Sequence, residues 1–280
     1  MQIFETKKSL QEYLSTFRKE KKSIGFVPTM GALHKGHLSL VKAAQKKCDL
    51  VVVSIFVNPT QFDNKEDLAK YPKPLAQDIQ FLESVKCDVL FCPSAAEIYG
   101  ENLSAESFDF DGLEHVMEGE FREGHFNGVG TIVKRLFEII APEIAFFGQK
   151  DFQQLQIIKK MVEKHKLPVK IKGCKILREK DGLAMSSRNG RLTEEHRKEA
   201  PFIYKTLKKA KQIFKENDVE KVISWIKNEF STNNLLKLEY FSIANEKTLE
   251  PIKEKKKAEK SRAFIAVYAG DIRLIDNIKF

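Results

Sequence analysis

Two histidines three residues apart, His34 and His37, fall in the stretch Pro28-Thr29-Met30-Gly31-Ala32-Leu33-His34-Lys35-Gly36-His37. At that spacing two imidazoles point at one place, and each can donate a hydrogen bond to a phosphoryl oxygen. Gly36 keeps bulk away where backbone N–H groups at a helix start would face an anion. The alternative is a pair of surface histidines on an ordinary helix. A second set, Gly148-Gln149-Lys150-Asp151, carries a lysine able to neutralise phosphate charge, and Gln154 follows one helical turn later. The alternative for Lys150 is a solvated side chain. Gln61, in Phe56-Val57-Asn58-Pro59-Thr60-Gln61-Phe62, offers a neutral amide suited to a small hydroxy acid without the desolvation cost of a buried charge. Asn58 and Pro59 are accounted for by a plain turn. Ser186, Ser187 and Arg188 stand in Asp181-Gly182-Leu183-Ala184-Met185-Ser186-Ser187-Arg188-Asn189. They form either a simple loop or a clamp whose hydroxyls and guanidinium hold pyrophosphate. No Ser or Cys nucleophile paired to a base is evident, which leaves a substrate oxygen as the first attacker.

These groups need elements to hold them. The histidine stretch follows apolar Ile24-Gly25-Phe26-Val27 and precedes a helical pattern with Leu38, Val41 and Ala44 on one face, so it is a strand-to-helix turn. Residues 50–57 are a continuous β-branched run ended by Asn58-Pro59, the pattern of a strand covered on both faces. A helix with Pro74 near its start carries Ile79, Leu82 and Val85, and a strand follows at 87–92. Phe108-Asp109-Phe110 reads as a short strand and 113–117 as a helical turn. Val129, Ile132, Val133, Leu136 and Ile140 define a helix closed by Pro142, and residues 144–147 return as a strand. A helix through Phe152, Leu155, Ile158 and Val162 and a strand at 169–174 complete the series. Alternating strands and helices predict a doubly wound, Rossmann-like parallel sheet with ligands at the carboxyl ends of its strands. After about Arg178 the pattern changes: helices at 193–215 and 218–230, then strands at 238–244 and 263–269 around a lysine-rich connection at 253–262. The expected domains are therefore 1–177 and a smaller C-terminal α+β domain, 178–280, carrying the serine–arginine loop.

With 280 residues, 42% hydrophobic and 31% charged, the chain can build its core without disulfides or metal. No apolar run approaches the roughly 20 residues of a membrane span, and the first residues lack the apolar core of a signal peptide, so a cytoplasmic protein is expected. Cys48, Cys87, Cys92 and Cys174 form no C-x-x-C pair and read as free, mostly buried thiols. The net charge of +9 fits either anionic ligands or a solvated lysine-rich surface. The lysine-rich connection contains acids and lacks interleaved aromatics, which argues against a nucleic-acid groove. His115, His165 and His196 have no motif around them and are read as solvated.

The ten-residue histidine stretch resembles the nucleotide-binding signature of the pantothenate synthetase family, within the nucleotidylyltransferase superfamily. The likeness recurs in four further motifs between Pro28 and Asn189 and is not extended from Thr193 onward. It implies the ATP-driven condensation of pantoate with β-alanine through a pantoyl-adenylate, releasing AMP and pyrophosphate. By resemblance ATP is bound by Met30, Gly31, Ala32, Leu33, His34, Lys35, Gly36 and His37, by Gly148, Gln149, Lys150 and Asp151, by Leu177, and by Met185, Ser186, Ser187 and Arg188. His34, His37, Lys150, Ser186, Ser187 and Arg188 would act on the phosphates, with Arg188 standing where the superfamily's loop has lysine. Gln61 and Gln154 match pantoate contacts, and Gln61 also lies near the family's β-alanine site. Asp78 matches an aspartate on the metal side, preceded by Gln77 where some members carry a second acid; magnesium would be held by ATP oxygens and one carboxylate. Glu118-Gly119-Glu120-Phe121-Arg122-Glu123-Gly124-His125-Phe126 resembles a family segment with Glu123 in place of the usual proline. Arg122 and His125 would cover the substrate site, or Arg122 would pair with a surface acid. The family also suggests a homodimer. A nucleotidylyltransferase that adenylates a phosphate is the rival enzyme, though it would not need two glutamines. A basic RNA-binding module is the rival of another class, without the stacking aromatics such modules use.

Overall fold

The computed structural model describes residues 1–62, 65–256 and 259–280; Lys257 and Ala258 of the lysine-rich connection lie outside the described residues. The chain forms two compact units, Met1–Gln149 with Gln154–Lys175, and Lys150–Gln153 with Ile176–Phe280.

The first unit is built on six parallel strands: β1 (Gln2–Phe4), β2 (Ile24–Thr29), β3 (Leu50–Ile55), β4 (Val89–Phe91), β5 (Ile144–Gly148) and β6 (Lys170–Cys174). Their order is β1-β4-β3-β2-β5-β6. From β2 the chain winds outward one way through β3 and β4 and the other way through β5 and β6, so the order reverses between β2 and β5. The carboxyl ends there form the crevice where open parallel sheets take their ligands. Val51, Val52, Val53 and Phe26 are almost wholly buried, which explains the unbroken β-branched run. Each such burial stabilises by about 1.5–3 kcal/mol. Helices Lys35–Gln45 and Leu75–Ser84 supply Leu40, Val41, Ala44 and Leu82 to one core cluster with Val27, Val53 and Phe146.

The second unit has an antiparallel sheet, β7 (Leu236–Asn245), β8 (Ser261–Ala269) and β9 (Ile272–Lys279), in the order β7-β8-β9. Helices Phe202–Glu216 and Val219–Ser231 pack on it, with Leu207, Ile226, Ile265 and Val267 at the centre.

The structure corrects several expectations. Phe108-Asp109-Phe110 has no strand partner among the described residues, because side chains satisfy its neighbourhood instead: Asn127 Oδ1 accepts from Phe108 N–H at 3.0 Å and Thr131 Oγ1 from Glu106 N–H at 2.8 Å. The single helix expected at 193–215 is two, Glu194–Glu199 and Phe202–Glu216, parted at Pro201, which cannot donate a backbone hydrogen bond. β1, the helix Lys7–Lys19 and β9 are additions that the sequence patterns did not signal. No helix among the described residues is long and apolar enough to cross a membrane. The four cysteines are unpaired, and burial pushes the Cys87 thiol up to about 12, far from reactivity at neutral pH.

Candidate active site

The turn leaving β2 stores strain. Gly31 (φ +82°) and Ala32 (φ +49°) are both left-handed, a conformation that costs a residue with a Cβ of order 1–3 kcal/mol. Asp78 offsets it. Its Oδ2 accepts from Ala32 N–H at 2.8 Å and its Oδ1 from Leu33 N–H at 2.6 Å. The residue is 1% exposed; burial pushes its carboxyl pKa up, and the two amides pull it back. A Cβ on Gly31 would stand 3.0 Å from Asp78 Oδ2, so the glycine also makes room for this brace.

The turn ends in a helix start that fixes the histidines. His34 is the N-cap of helix Lys35–Gln45, its Nδ1 accepting from Gly36 N–H at 3.1 Å. His37 Nδ1 accepts in turn from His34 N–H at 3.3 Å, closing a capping box, and the ring centroids lie 4.1 Å apart. An Nδ1 that accepts carries no proton, so each neutral ring holds its proton on Nε2 and presents a donor there. That tautomer suits a phosphoryl oxygen.

β2 and β3 run in register to their ends, Pro28 opposite Ser54 and Thr29 opposite Ile55, so the next turns leave from one edge. Gln61 is 8% exposed, and its Nε2 donates to Met30 Sδ at 2.8 Å. A plain turn accounted for Asn58 in the sequence, yet the residue is the hub here at 1% exposure. Its Nδ2 donates to Gly128 O at 3.0 Å and Gln61 Oε1 at 3.3 Å, and its Oδ1 accepts from Tyr99 O–H at 2.6 Å. The signal in the sequence is an amide beside a proline at a strand end; its partners, 41 and 70 residues away, leave no local trace. His125, 6% exposed, lies with Nδ1 2.8 Å from Gln61 O and Nε2 3.2 Å from Arg122 Nη1. Arginine only donates, so Nε2 accepts and Nδ1–H donates to Gln61. Arg122 and His125 thus brace the Gln61 turn. Gln154 is half-buried in the first turn of helix Phe152–Lys164.

In the second unit, residues 177–185 form a small hairpin whose Gly182 (φ +98°) makes the turn. Met185 N–H donates to Leu177 O at 3.0 Å, and Leu177 is 38% exposed. Ser186 caps the helical turn Ser187–Arg191 by accepting from Arg188 N–H at 3.2 Å. Lys150 is 18% exposed by side chain, 3.7 Å from Asp151, and lines a small cavity with Ser186. Among the remaining histidines, His115 is largely exposed, His165 packs edge-on to Phe108 and His196 bonds Thr193.

Among the described residues no three His, Cys, Asp or Glu converge to hold a metal. Asp78, the carboxylate marked by resemblance, has both oxygens engaged by turn amides, so the donor set does not build a metal cage.

A doubly wound, Rossmann-like sheet with a His-Lys-Gly-His turn at its switch point sets a helix N-terminus suited to a phosphate-bearing ligand at the carboxyl ends of the strands. The family profile described as pantoate-beta-alanine ligase matches residues 2–279. The pantothenate synthetase of Christiangramia forsetii is 57% identical over 279 residues, 99% of each chain, and that of Flavobacterium psychrophilum 52% over the same share. The crystal structure of pantothenate synthetase from Thermus thermophilus superposes with a TM-score of 0.91 at 36% identity, over 100% of this chain and 99% of that one. The Francisella tularensis ligase, complexed with beta-gamma ATP and β-alanine, has a TM-score of 0.80 at 38% identity, over 100% and 97%. The chain belongs to the pantoate–β-alanine ligase family.

Proposed function

We propose that this protein condenses (R)-pantoate with β-alanine, driven by ATP cleavage, through an enzyme-bound pantoyl-adenylate. Full-length membership of the family supports the reaction, and one local observation supports the acid site. The buried Gln61 amide donates to a thioether sulfur, a weak acceptor, so a pantoate hydroxyl or carboxylate oxygen that displaces it gains a stronger hydrogen bond.

A carboxylate is a poor acyl electrophile. Pantoate oxygen therefore attacks the α-phosphorus of ATP; a P–O bond forms to pantoate, the bond to the β-phosphate oxygen breaks, and pyrophosphate leaves. The amine of β-alanine then attacks the acyl carbon, AMP departs with the bonding pair, and the amine gives up a proton. In the first unit His34 and His37 donate from Nε2 to phosphoryl oxygens, while Gln61 and Gln154 orient pantoate and Gln61 borders the amine's site. Met30, Gly31, Ala32, Leu33, Lys35 and Gly36, with Gly148 and Gln149, would shape the ATP site from the first unit, and Asp151 would do so from the second. In the second, Lys150, Ser186, Ser187 and Arg188 meet phosphate charge, and Leu177 and Met185 contribute backbone to the nucleotide. Magnesium would travel with the triphosphate, held by its oxygens, with Asp78 bracing the turn rather than caging the ion. Residues 1–177 would carry ATP and pantoate and 178–280 the serine–arginine loop, in a cytoplasmic homodimer.

AMP formation against a panel of small carboxylates and amines tests this reading. Pantoate with β-alanine should be preferred, and Lys150→Ala should lower turnover by about 3–4 kcal/mol of transition-state stabilisation with little change in unfolding temperature. Preference for another acid–amine pair would overturn it.

A further inference from the structure

We propose that Asn277 and Asp276, on the last strand, are positioning residues that hold Lys150 for phosphoryl transfer; the inference rests on the role given to Lys150 above. Asn277 is 2% exposed and its Nδ2 donates to the backbone oxygen of Lys150 at 2.7 Å. The amide has one workable orientation. Its Oδ1 accepts from Arg262 Nη1 at 2.6 Å, and Arg262 only donates; the Lys150 carbonyl only accepts, so the –NH2 must face it. Arg262 is itself fixed, by Glu246 Oε1 at 2.7 and 3.0 Å and by its place over the Phe152 ring, 4.1 Å from the centroid.

Asp276 extends the brace. It is 4% exposed, takes Arg178 in a bidentate pair at 2.6 and 2.9 Å, and accepts from Asn277 N–H at 2.7 Å. Arg178 lies over the Tyr204 ring at 3.5 Å. Burial pushes the Asp276 carboxyl up, and the Arg178 pair pulls it back. Lys150, Ser186 and Asp276 line one cavity of about 10 Å³, which puts lysine, phosphate-loop serine and strand carboxylate on a shared wall.

The chemistry calls for such a brace. A lysine stem is a flexible four-carbon chain, and its ammonium acts as a point charge whose effect depends on where it is held. Fixing the backbone at its root removes one source of wander. Two consecutive buried polar residues, each satisfied by an arginine that is itself anchored, carry a desolvation penalty that a strand serving only to fill a core would avoid. Holding Lys150 in place gives that arrangement a use.

The test is a double-mutant cycle on the full-length enzyme, read as pantoate-dependent exchange of labelled pyrophosphate into ATP at saturating substrates, with thermal unfolding alongside. Asn277→Asp keeps volume and the Arg262 contact but loses the donor to Lys150; Asn277→Ala serves if the acid perturbs folding. The expected result is a loss of about ten- to hundredfold in the wild-type background, and less than about twofold when Lys150 is already Ala. Equal factors in both backgrounds would show that Asn277 merely supports the fold and would overturn the inference while leaving the Lys150 role intact. A Lys150→Ala enzyme with wild-type exchange would overturn the Lys150 role itself, and this inference with it.

Discussion

His34 and His37 each commit one ring nitrogen to the start of their helix, and that commitment decides what the other can do. With Nδ1 accepting from Gly36 or His34 N–H, the proton sits on Nε2 and the ring becomes a fixed donor. The two nitrogens are therefore separable by substitution. His37→Asn places an acceptor near the Nδ1 position and removes the Nε2 donor; His37→Ala removes both. The expected outcome is a roughly hundredfold loss of adenylate-forming rate in either variant, on the scale of one lost oxyanion donor. Only His37→Ala should also lose about 1 kcal/mol of stability through the cap. Denaturant titration beside rate measurement checks this, and a normal rate in His37→Asn would move His37 out of the phosphate site.

At the scale of elements, the Asn58–Gln61 turn is held by a helix that touches it backbone to backbone. A Cβ on Gly128, in helix His125–Ile140, would stand 2.6 Å from the Gln61 Cα, too close for any real side chain. Gly128→Ala must push the helix and the Asn58–Gln61 turn apart. We expect the KM for pantoate to rise about tenfold or more, with the KM for ATP nearly unchanged, since the histidine turn is braced separately by Asp78. Steady-state kinetics with each substrate varied would show it; an ATP defect equal to the pantoate defect would contradict it. This contact also marks the limit of what the sequence displayed. The turns at the ends of β2, β3 and β5 were legible because an apolar run gives way near Pro, Asn or Gly, and after β2 and β5 a 3.6-residue pattern begins. The partners that fix those turns were not, because Tyr99, Gly128 and Asp78 are distant in sequence and ordinary in their local context. β9 was hidden for a related reason: Asp276 and Asn277 are buried polar residues that break the apolar pattern by which a strand is recognised.

At the scale of the whole molecule, the two units carry different candidate site residues. The parallel sheet brings the histidine turn and Gln61 to one edge; the C-terminal unit holds Lys150 with Ser186. The net charge of +9 is consistent with substrates that are all anions or zwitterions, though scattered lysines account for much of it. The proposed reaction has an order, adenylate first and amine second, and would need no covalent enzyme intermediate. Pyrophosphate exchange reads that order directly. Given pantoate and magnesium, with β-alanine omitted, the enzyme should move labelled pyrophosphate into ATP, because adenylate formation is reversible on its own. Exchange that appears only when β-alanine is added would contradict the account.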